Sequence, residues 1–201
     1  MSQHIQQHDG YGPLAMDLLA KAKRSGATEA DIIIADGETF SVQVRLGAVD
    51  RLTKAREKHL GLRVFVGKRS ASSSTSDFSA ESLNQLVAET CTLAKAVVED
   101  QVSGLPAADQ MEGEKLDLDL FDPTGLNTEQ QIELAKRVEA AAMSADERVT
   151  NSEGGDFDSS SGRVVLGNSH GFLGEYQSSS FSMSASPVAT DPETGSMQRD
   201  S

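Results

Sequence analysis

The sequence from Arg148 to Tyr176, RVTNSEGGDFDSSSGRVVLGNSHGFLGEY, combines turn residues with strand-like alternation and decides the fold more than any other stretch. From Ser180 to Ala185, Ser alternates with Phe, Met and Ala, as in a strand with one buried face. Pro and Gly within Asp191–Gly195 favour a turn, after which Met197–Ser201 would begin a returning strand. Because the sequence stops before that strand could pair, we expect the front part of a longer protein.

Length and composition indicate a soluble globular protein with room for one or two domains. The chain has 201 residues, of which 37% are hydrophobic and 24% charged. No stretch approaches the roughly 20 apolar residues of a membrane span, and the start, MSQHIQQHDG, lacks the features of a signal peptide. The single cysteine, Cys91, lies in a helical pattern and is expected to be a small buried residue rather than a reactive thiol. A reducing cytoplasmic location fits best.

The charge balance disfavours nucleic acid as a partner. The formal net charge is −13, from 31 acidic and 18 basic side chains, whereas binding along a phosphate backbone needs concentrated Lys and Arg. The positive charge that exists clusters between Lys54 and Arg69. Because this segment also alternates apolar residues, we interpret its cations as the solvated face of a hairpin.

The first part of the chain predicts an α+β domain at residues 13–100, preceded by a flexible tail at residues 1–12. A short helix is closed by Ser25-Gly26, and strands with short connections then favour an antiparallel meander. Ser79 begins a second helix, whose apolar stripe can cover one face of the sheet. The stripes of the two helices are Leu14, Leu18, Leu19 and Ala22, and Leu83, Leu86, Val87, Thr90, Cys91, Ala94, Val97 and Val98.

Residues 101–127 predict a solvated acidic linker, since they combine Gly and Pro with many carboxylates. Thr128 and Gln131 have the spacing of a capping box for a further helix. We expect Glu139 on that helix to face solvent, and residues 128–201 to be the incomplete start of a second, β-rich domain. The expected inner stripe of the helix is Ile132, Ala135, Val138 and Ala142.

The segment Asn168-Ser169-His170-Gly171 contains His170, the one histidine for which the sequence supports a functional role. Gly171 can adopt backbone conformations that let the chain approach a ligand closely. One interpretation is a hairpin turn whose side chains cap the backbone. The other is a loop that contacts a peptide substrate at a subunit interface, and these four residues are therefore the candidate substrate-binding site.

The other histidines do not predict a metal centre. A hydrolytic zinc site needs about three converging protein ligands and an open position for water. His4 and His8 have helical spacing but no intervening Glu, and they fall in the expected tail. His59 stands among cations, which disfavour a bound metal ion. We therefore predict no catalytic residue and no metal ligand in this chain.

The remaining polar clusters are interpreted as structural. Glu153, Asp156 and Asp158 accompany two glycines, but calcium needs six or more converging oxygens, so we predict a tight solvated turn. The serine runs lack the surroundings of a catalytic serine and are interpreted as strand and loop surfaces. They are Ser72–Ser74, Ser159–Ser161 and Ser178–Ser180.

Several separated motifs, taken in order, resemble the TldD/PmbA family of metallopeptidases and their partner proteins. They are LGLRVFVGKRSASSSTSDFSAESL from Leu60, LDLDLFDP at Leu116–Pro123, TNSEGGDF from Thr150 and LGNSHGFLGEY from Leu166. The resemblance covers all but the first dozen residues and is closer to the PmbA branch, also called TldE. The linker motif matches the LDLxDP segment of that branch approximately.

The resemblance implies a two-domain α+β protein that acts in the cytoplasm as a dimer, with a TldD-like partner or as a homodimer. The family is associated with the proteolysis and maturation of small peptides, and older names propose modulation of DNA gyrase. In the TldD branch, a helical His-Glu-x-x-x-His motif and a thiol hold zinc. The PmbA branch looks as though it lacks this motif, so the resemblance places zinc in the partner and no cofactor in this chain.

Three hypotheses follow for the function. The first is a PmbA-like subunit of a TldD-type zinc metallopeptidase complex, with this chain inactive alone. The second is a self-sufficient metallopeptidase whose zinc motif lies in a missing C-terminal part. The third is a non-enzymatic interaction module, or the remnant of a broken gene.

Overall fold

The computed structural model describes residues 10–111, 118–123 and 125–199. The elements are α1 (Gly12–Arg24), β1 (Glu29–Arg45), β2 (Ala48–Val66), β3 (Arg69–Thr75), α2 (Ala80–Ala96), a 3-10 turn (Ala108–Gln110), α3 (Thr128–Met143), β4 (Val149–Asn168), β5 (Leu173–Thr190) and β6 (Met197–Arg199). Among the described residues, six strands form one sheet in the order β3-β2-β1-β4-β5-β6, and β2–β3 and β5–β6 pair antiparallel. The predicted α+β class with an antiparallel sheet and helices is confirmed. None of the helices in these ranges is long and apolar enough to cross a membrane.

The chain divides into two compact units that are discontinuous in sequence. Unit 1 comprises Met1–Asp36, Glu57–Leu118 and Arg163–Gln177, and unit 2 comprises Gly37–Arg56, Asp119–Gly162 and Ser178–Ser201. The long strands β1, β2, β4 and β5 each contribute residues to both units. The domain boundaries drawn from the sequence, at residues 100, 127 and 128, stay a prediction.

Helices α1 and α2 pack on the sheet in unit 1, as their apolar stripes predict, but Val98, the last residue of the predicted α2 stripe, lies beyond the end of the helix and is 89% exposed. Pro13 lies in the first turn of α1, where main-chain N–H groups have no acceptor within the helix, so proline's lack of an N–H costs no hydrogen bond. At the other end, Gly26 follows the helix with a φ of 99°. Ser79 caps α2 by accepting the N–H of Ser82. The buried core of this unit is Ala15, Leu18, Leu19, Ala22, Ala27, Ala30, Ile32, Ile34, Leu60, Leu62, Val64, Ala71, Leu83, Leu86, Val87, Cys91, Ala94 and Val165.

Helix α3 packs on the core of unit 2, and its N-terminus lies one residue before the predicted position. The side chain of Asn127 accepts the N–H of Gln130, and the side chain of Gln130 accepts the N–H of Asn127, each at 2.9 Å. The capping box predicted at Thr128 and Gln131 is therefore wrong. Gln131 is buried instead, and its amide donates to the hydroxyl of Ser159. The buried core comprises Phe40, Val42, Val44, Ala135 and Phe157.

Glu139 on α3 is buried, so its predicted orientation toward solvent is wrong. Its Oε1 accepts the N–H of Leu46 at 2.8 Å, and its Oε2 accepts the N–H of Gly47 at 2.9 Å. These two residues connect β1 to β2 with φ angles of 50° and 77°, as in the tight left-handed turns of hairpins. Because leucine disfavours positive φ, the two charge-assisted hydrogen bonds stabilise a turn that its sequence does not favour.

The segment from Glu153 to Asp158 is part of β4, so the predicted tight turn is wrong. Gly154 has a φ of 141°, and Gly155 lies so close to α3 that a Cβ atom there would be 2.6 Å from the main-chain oxygen of Ala135. Gly155 therefore lets β4 lie against α3, whereas a Cβ at Gly154 would meet Gln43 and Val44 on β1. Burial, with the neighbouring charge of Asp158, raises the pKa of Asp156.

The turn predicted at Asp191–Gly195 is confirmed. The side chain of Asp191 accepts the N–H groups of Glu193 and Thr194, and Gly195 has a φ of 69°. The expectation that the returning strand cannot pair is wrong, because β6 pairs with Val188–Thr190. The last two residues of the predicted strand lie outside the described ranges.

We predict that Gly155→Ala destabilises the protein by about 1–3 kcal/mol, because the added methyl group overlaps the backbone of α3. Gly167→Ala on the same strand is the control, since a Cβ there makes ordinary contacts of 3.4–3.6 Å with apolar side chains. Chemical unfolding of both variants measures the difference. Equal stability of the two variants would contradict the close contact between β4 and α3.

We predict that Glu139→Gln lowers the free energy of unfolding by about 2 kcal/mol, because an amide offers one acceptor oxygen to two turn N–H groups. Glu133→Gln on the same helix is the matched control. Its carboxylate is 64% exposed and pairs with Lys136, so we expect a loss below about 0.5 kcal/mol. Thermal and urea unfolding test both variants, and similar losses would show that the turn does not depend on Glu139.

Candidate functional site

The predicted site residues form the turn that joins β4 to β5. The N–H of Asn168 donates to the main-chain oxygen of Phe172 at 3.0 Å, and the N–H of Gly171 donates to the main-chain oxygen of Asn168 at 3.2 Å. Oδ1 of Asn168 accepts the N–H groups of His170 and Phe172 at 3.0 and 3.1 Å. Gly171 has a φ of 94°. The interpretation as a hairpin turn with side-chain capping is confirmed, while contact with a peptide stays a prediction.

Ser169 connects this turn to the beginning of β1. Its N–H donates to the main-chain oxygen of Ala30 at 2.8 Å, and its hydroxyl accepts the N–H of Ala30 at 3.0 Å. Asn168 is buried at 2% exposure, and its Nδ2 has no hydrogen-bond partner in the described structure. Asn168 and Ser169 are therefore held in place by the sheet, and the side-chain amide group of Asn168 makes no hydrogen bond within the described structure.

His170 lies between two oxygen atoms from distant parts of unit 1. Its Nε2 is 3.1 Å from Oε1 of Glu29, and its Nδ1 is 3.2 Å from the main-chain oxygen of Pro106. The second carboxylate oxygen of Glu29 accepts the N–H of Leu105 at 3.0 Å. The imidazole and Glu29 thus hold Leu105 and Pro106 beside the turn.

The turn presents backbone and one polar ring rather than a catalytic group. The direction in which a Cβ would project from Gly171 is open for 4 Å, and the side chain of His170 is 28% exposed. Each ring nitrogen already faces an oxygen atom, so a metal ion would have to displace one of these contacts. An approaching peptide can reach the exposed side of the ring and the backbone at Gly171 without such a displacement.

The other sequence candidates lie apart from this turn. His59 is exposed on β2, and Cys91 is buried on α2 with its Sγ 3.8 Å from the main-chain oxygen of Ala22. Burial raises the pKa of the Cys91 thiol. His4 and His8 are outside the described residues. Within the described ranges, no three His, Cys, Asp or Glu side chains converge as metal ligands would.

The three predicted serine runs all lie within strands, which agrees with their interpretation as surfaces. Ser72–Ser74 belongs to β3, Ser159–Ser161 to β4 and Ser178–Ser180 to β5. The hydroxyl of Ser160 is 2.8 Å from that of Ser180, so the runs on the last two strands contact each other.

Two features near the sheet were not predicted. The role of Glu29, which holds the ring of His170, could not be predicted from the sequence. Its partners Leu105 and His170 are 76 and 141 residues away, so no local sequence pattern connects them. A cavity of about 400 Å3 also lies over unit 1, beside exposed Ile33 and Leu166 and the ion pair of Asp31 with Arg63. The side-chain hydrogen bond to Asp31 raises the pKa of Arg63.

Two family models match the chain. Residues 30–94 match the model described as PmbA/TldA metallopeptidase domain 1, and residues 121–201 match the PmbA/TldA metallopeptidase central domain. The first range runs from β1 to α2 and leaves out only Glu29 at the start of β1 and the last two residues of α2. The second range contains all of α3, β4, β5 and β6.

Curated relatives support the same family. The chain is 35% identical over 182 residues to the metalloprotease PmbA of Escherichia coli O157:H7, an alignment that covers 90% of this chain and 39% of the relative. It is 34% identical over 167 residues to the metalloprotease PmbA homolog of Haemophilus influenzae, and this alignment covers 83% of this chain and 37% of the relative. The chain thus spans about two fifths of the length of these relatives.

Solved structures have the same fold. A Bacteroides thetaiotaomicron protein named for a proposed modulation of DNA gyrase aligns with a TM-score of 0.82 and 26% identity, covering 93% of this chain and 43% of its own. TldE from Thermococcus kodakarensis aligns with a TM-score of 0.71 and 16% identity, and the alignment covers 92% of this chain and 42% of that protein. At this identity the likeness supports the fold alone. The chain belongs to the PmbA/TldD metallopeptidase family, on its PmbA (TldE) branch, and corresponds to part of a family member.

Proposed function

We propose that this chain is a PmbA-like subunit of a cytoplasmic TldD-type zinc metallopeptidase complex that cleaves and matures small peptides. In this proposal the partner holds zinc and performs hydrolysis. The present chain contributes peptide contacts and is inactive alone. The partner is a TldD-like subunit or a second copy of the chain.

One observation carries the assignment of a non-catalytic role. His170, the histidine in the candidate site, has an oxygen atom beside each ring nitrogen, and one of these oxygens belongs to Glu29. The carboxylate of Glu29 is itself engaged by the N–H of Leu105. The potential acid, base or ligand groups at the turn are therefore committed to holding the backbone, which suits positioning and binding.

The fold supports peptide contact through main-chain groups. Strand edges bind extended peptides by adding a strand, with affinity from backbone hydrogen bonds and specificity from alternate side chains. β3 lies at one edge of the sheet, and the turn Asn168–Gly171 exposes backbone next to the ring of His170. A peptide in extended conformation is the substrate form that these surfaces fit.

A self-sufficient metallopeptidase is the second candidate. The specific observation in its favour is the name metalloprotease that is given to the relatives, of which this chain spans about two fifths. In that case the metal ligands would come from the part of those proteins that the present chain does not span.

We predict that the purified, tag-free chain hydrolyses no peptide alone and that hydrolysis appears when a TldD-type partner is added. Fluorogenic peptides measure the activity, and elemental analysis measures zinc in each component and in the mixture. A partner with its zinc-binding histidine replaced is the control. Stoichiometric zinc in this chain, together with hydrolysis that needs no partner, would contradict the proposal.

We predict that His170→Ala raises the KM of the complex for a peptide about fivefold, because the peptide loses its contact with the exposed side of the imidazole ring, and leaves kcat unchanged. The turn should persist, because Asn168 builds it. His59→Ala removes an exposed imidazole from β2 and is the matched control. An unchanged KM in the His170 variant would remove the turn from the peptide site, and an equal rise in both variants would show a general effect of losing a ring.

A further inference from the structure

The sheet of unit 1 has one face that packs on helices and another face that carries a cavity. On β1, Ala30 and Ile32 are buried in the core that includes residues of α1 and α2. Because side chains alternate along a strand, Glu29, Asp31 and Ile33 lie on the opposite face. The cavity of about 400 Å3 lies on this second face. Its volume falls within the range of about 300–1,000 Å3 that is typical of ligand pockets.

The cavity has room because the side chains on β2 and β3 beside it are small. Gly61 on β2 is paired with Ser74 on β3, and both line the cavity. A Cβ atom at Gly61 would lie 3.2 Å from Cγ2 of Ile33, so a larger residue there would crowd this isoleucine and narrow the cavity. Ile33 and Leu166 are 46% and 41% exposed and form an apolar wall. An aliphatic side chain that packs on this wall removes apolar surface from water.

The polar end of the cavity is an arginine that uses only one edge of its guanidinium group. Nε of Arg63 donates to Oδ1 of Asp31 at 3.1 Å, and Nη2 donates to Oδ2 of the same carboxylate. The guanidinium carbon also lies 5.1 Å from the ring centroid of Phe65, which helps to fix the side chain. In the described part of the chain, every hydrogen bond of Arg63 goes to Asp31, although 49% of the arginine side chain is exposed. The edge formed by Nη1 and the second N–H of Nη2 is therefore left for another acceptor.

An ion pair with one remaining guanidinium edge favours a ligand that offers a carboxylate and an N–H group together. The remaining edge of Arg63 can hold a carboxylate through two parallel hydrogen bonds. Asp31 weakens the attraction for that carboxylate, but its oxygens keep lone pairs for an N–H donor. The exposed hydroxyls of Ser72 and Ser74 line the same cavity and can donate to the carboxylate as well. The last residue of a peptide carries a carboxylate and an N–H group on one Cα atom, next to its side chain.

The cavity and the turn at His170 lie along the same face of this sheet. Glu29, whose carboxylate contacts the ring of His170, is two residues from Asp31 on β1. At about 3.3 Å per residue, these two positions are about 7 Å apart along the strand. A peptide whose last residue occupies the cavity therefore has the turn within reach of its preceding residues.

We propose that this cavity binds the free C-terminal residue of a peptide whose last side chain is aliphatic. Arg63 holds the carboxylate, and Asp31 accepts the N–H of that residue. The aliphatic side chain packs on Ile33 and Leu166. This inference rests on the proposed function, because it names the end of the peptide substrate that this subunit holds.

The test measures direct binding to this chain without partner or hydrolysis. A hexapeptide that ends in Leu and carries a dye at its N-terminus is titrated by fluorescence anisotropy. The comparison peptides are the same hexapeptide with a C-terminal amide and one that ends in Gly. We expect the amide to bind about tenfold more weakly, because it cannot accept two charge-assisted hydrogen bonds from Arg63. The peptide that ends in Gly should also bind about tenfold more weakly, since it has no side chain to pack on Ile33 and Leu166.

Matched variants separate the two parts of the site. Arg63→Lys keeps a cation beside Asp31 but removes the planar fork, so we expect it to weaken binding of the carboxylate peptide about tenfold. Arg69→Lys is the control, since Arg69 is 41% exposed in another ion pair of unit 1. Leu166→Ala should remove most of the preference for Leu over Gly. Leu93→Ala, at a position on α2 that is 50% exposed, should leave that preference unchanged.

NMR localises the site in the wild-type protein, so the test does not depend on a variant that folds. The methyl signals of Ile33 and Leu166 should shift when the carboxylate peptide is added, whereas those of Leu93 should not. Unfolding curves show which variants are folded, and binding is compared only among those.

The outcomes separate this inference from the proposed function. A lack of saturable binding, equal binding of the carboxylate and amide peptides, or shifts confined to other methyl groups would overturn it. So would equally tight binding of free leucine, which would assign the cavity to an amino acid. If partner-dependent hydrolysis persists in any of these cases, only the C-terminal site fails. If hydrolysis needs no partner while the carboxylate peptide still binds the cavity, the proposed function fails and the C-terminal site stands.

Discussion

Burial of alternate residues along β1 is the constraint on which both cores depend. Ala30, Ile32 and Ile34 are buried in unit 1, and the same alternation continues in unit 2 through Phe40, Val42 and Val44. Because side chains alternate strictly between the faces of a strand, a slip of one residue would expose all of them together. At about 25 cal/mol per Å2 of apolar surface, such a slip would cost far more than any single hydrogen bond in the sheet. The register of the central strand is thus fixed by hydrophobic burial.

The sequence predicted features with local causes and missed those set by distant residues. The caps of α1 and α2 and the turn at Asp191–Gly195 follow from residues a few positions apart. The sequence predicts Glu139 in solvent because a carboxylate on a helix usually lies there, whereas its acceptor role depends on a turn that is 92 residues away in sequence. Gly154 and Gly155 predict a turn, since glycine is common in turns, but in the structure Gly155 allows α3 to approach β4, and Gly154 lies against Gln43 and Val44 of β1. The order in which the six described strands pair likewise has no local signal.

The candidate site shows the same division. Asn168 and Gly171 could be identified as turn residues because amide side chains and glycine have known roles there. Glu29 and Pro106, which fix the ring of His170, could not. The histidine that attracted a functional interpretation is a structural connector with one exposed side, and the family match supplies the peptidase context that its geometry alone does not. Function in this chain is therefore expected from surfaces and edges more than from a reactive group.

The burial of Cys91 makes the chain carry its own conformational reporter. The protein has one cysteine, its sulfur packs against α1 near Ala22, and burial raises the pKa of the thiol, so little thiolate exists at neutral pH. A disulfide reagent in solution can therefore modify this sulfur only after α2 separates from its neighbours. The rate of thiol labelling measures how often the core of unit 1 opens, with no need for a substrate, a partner or an introduced probe.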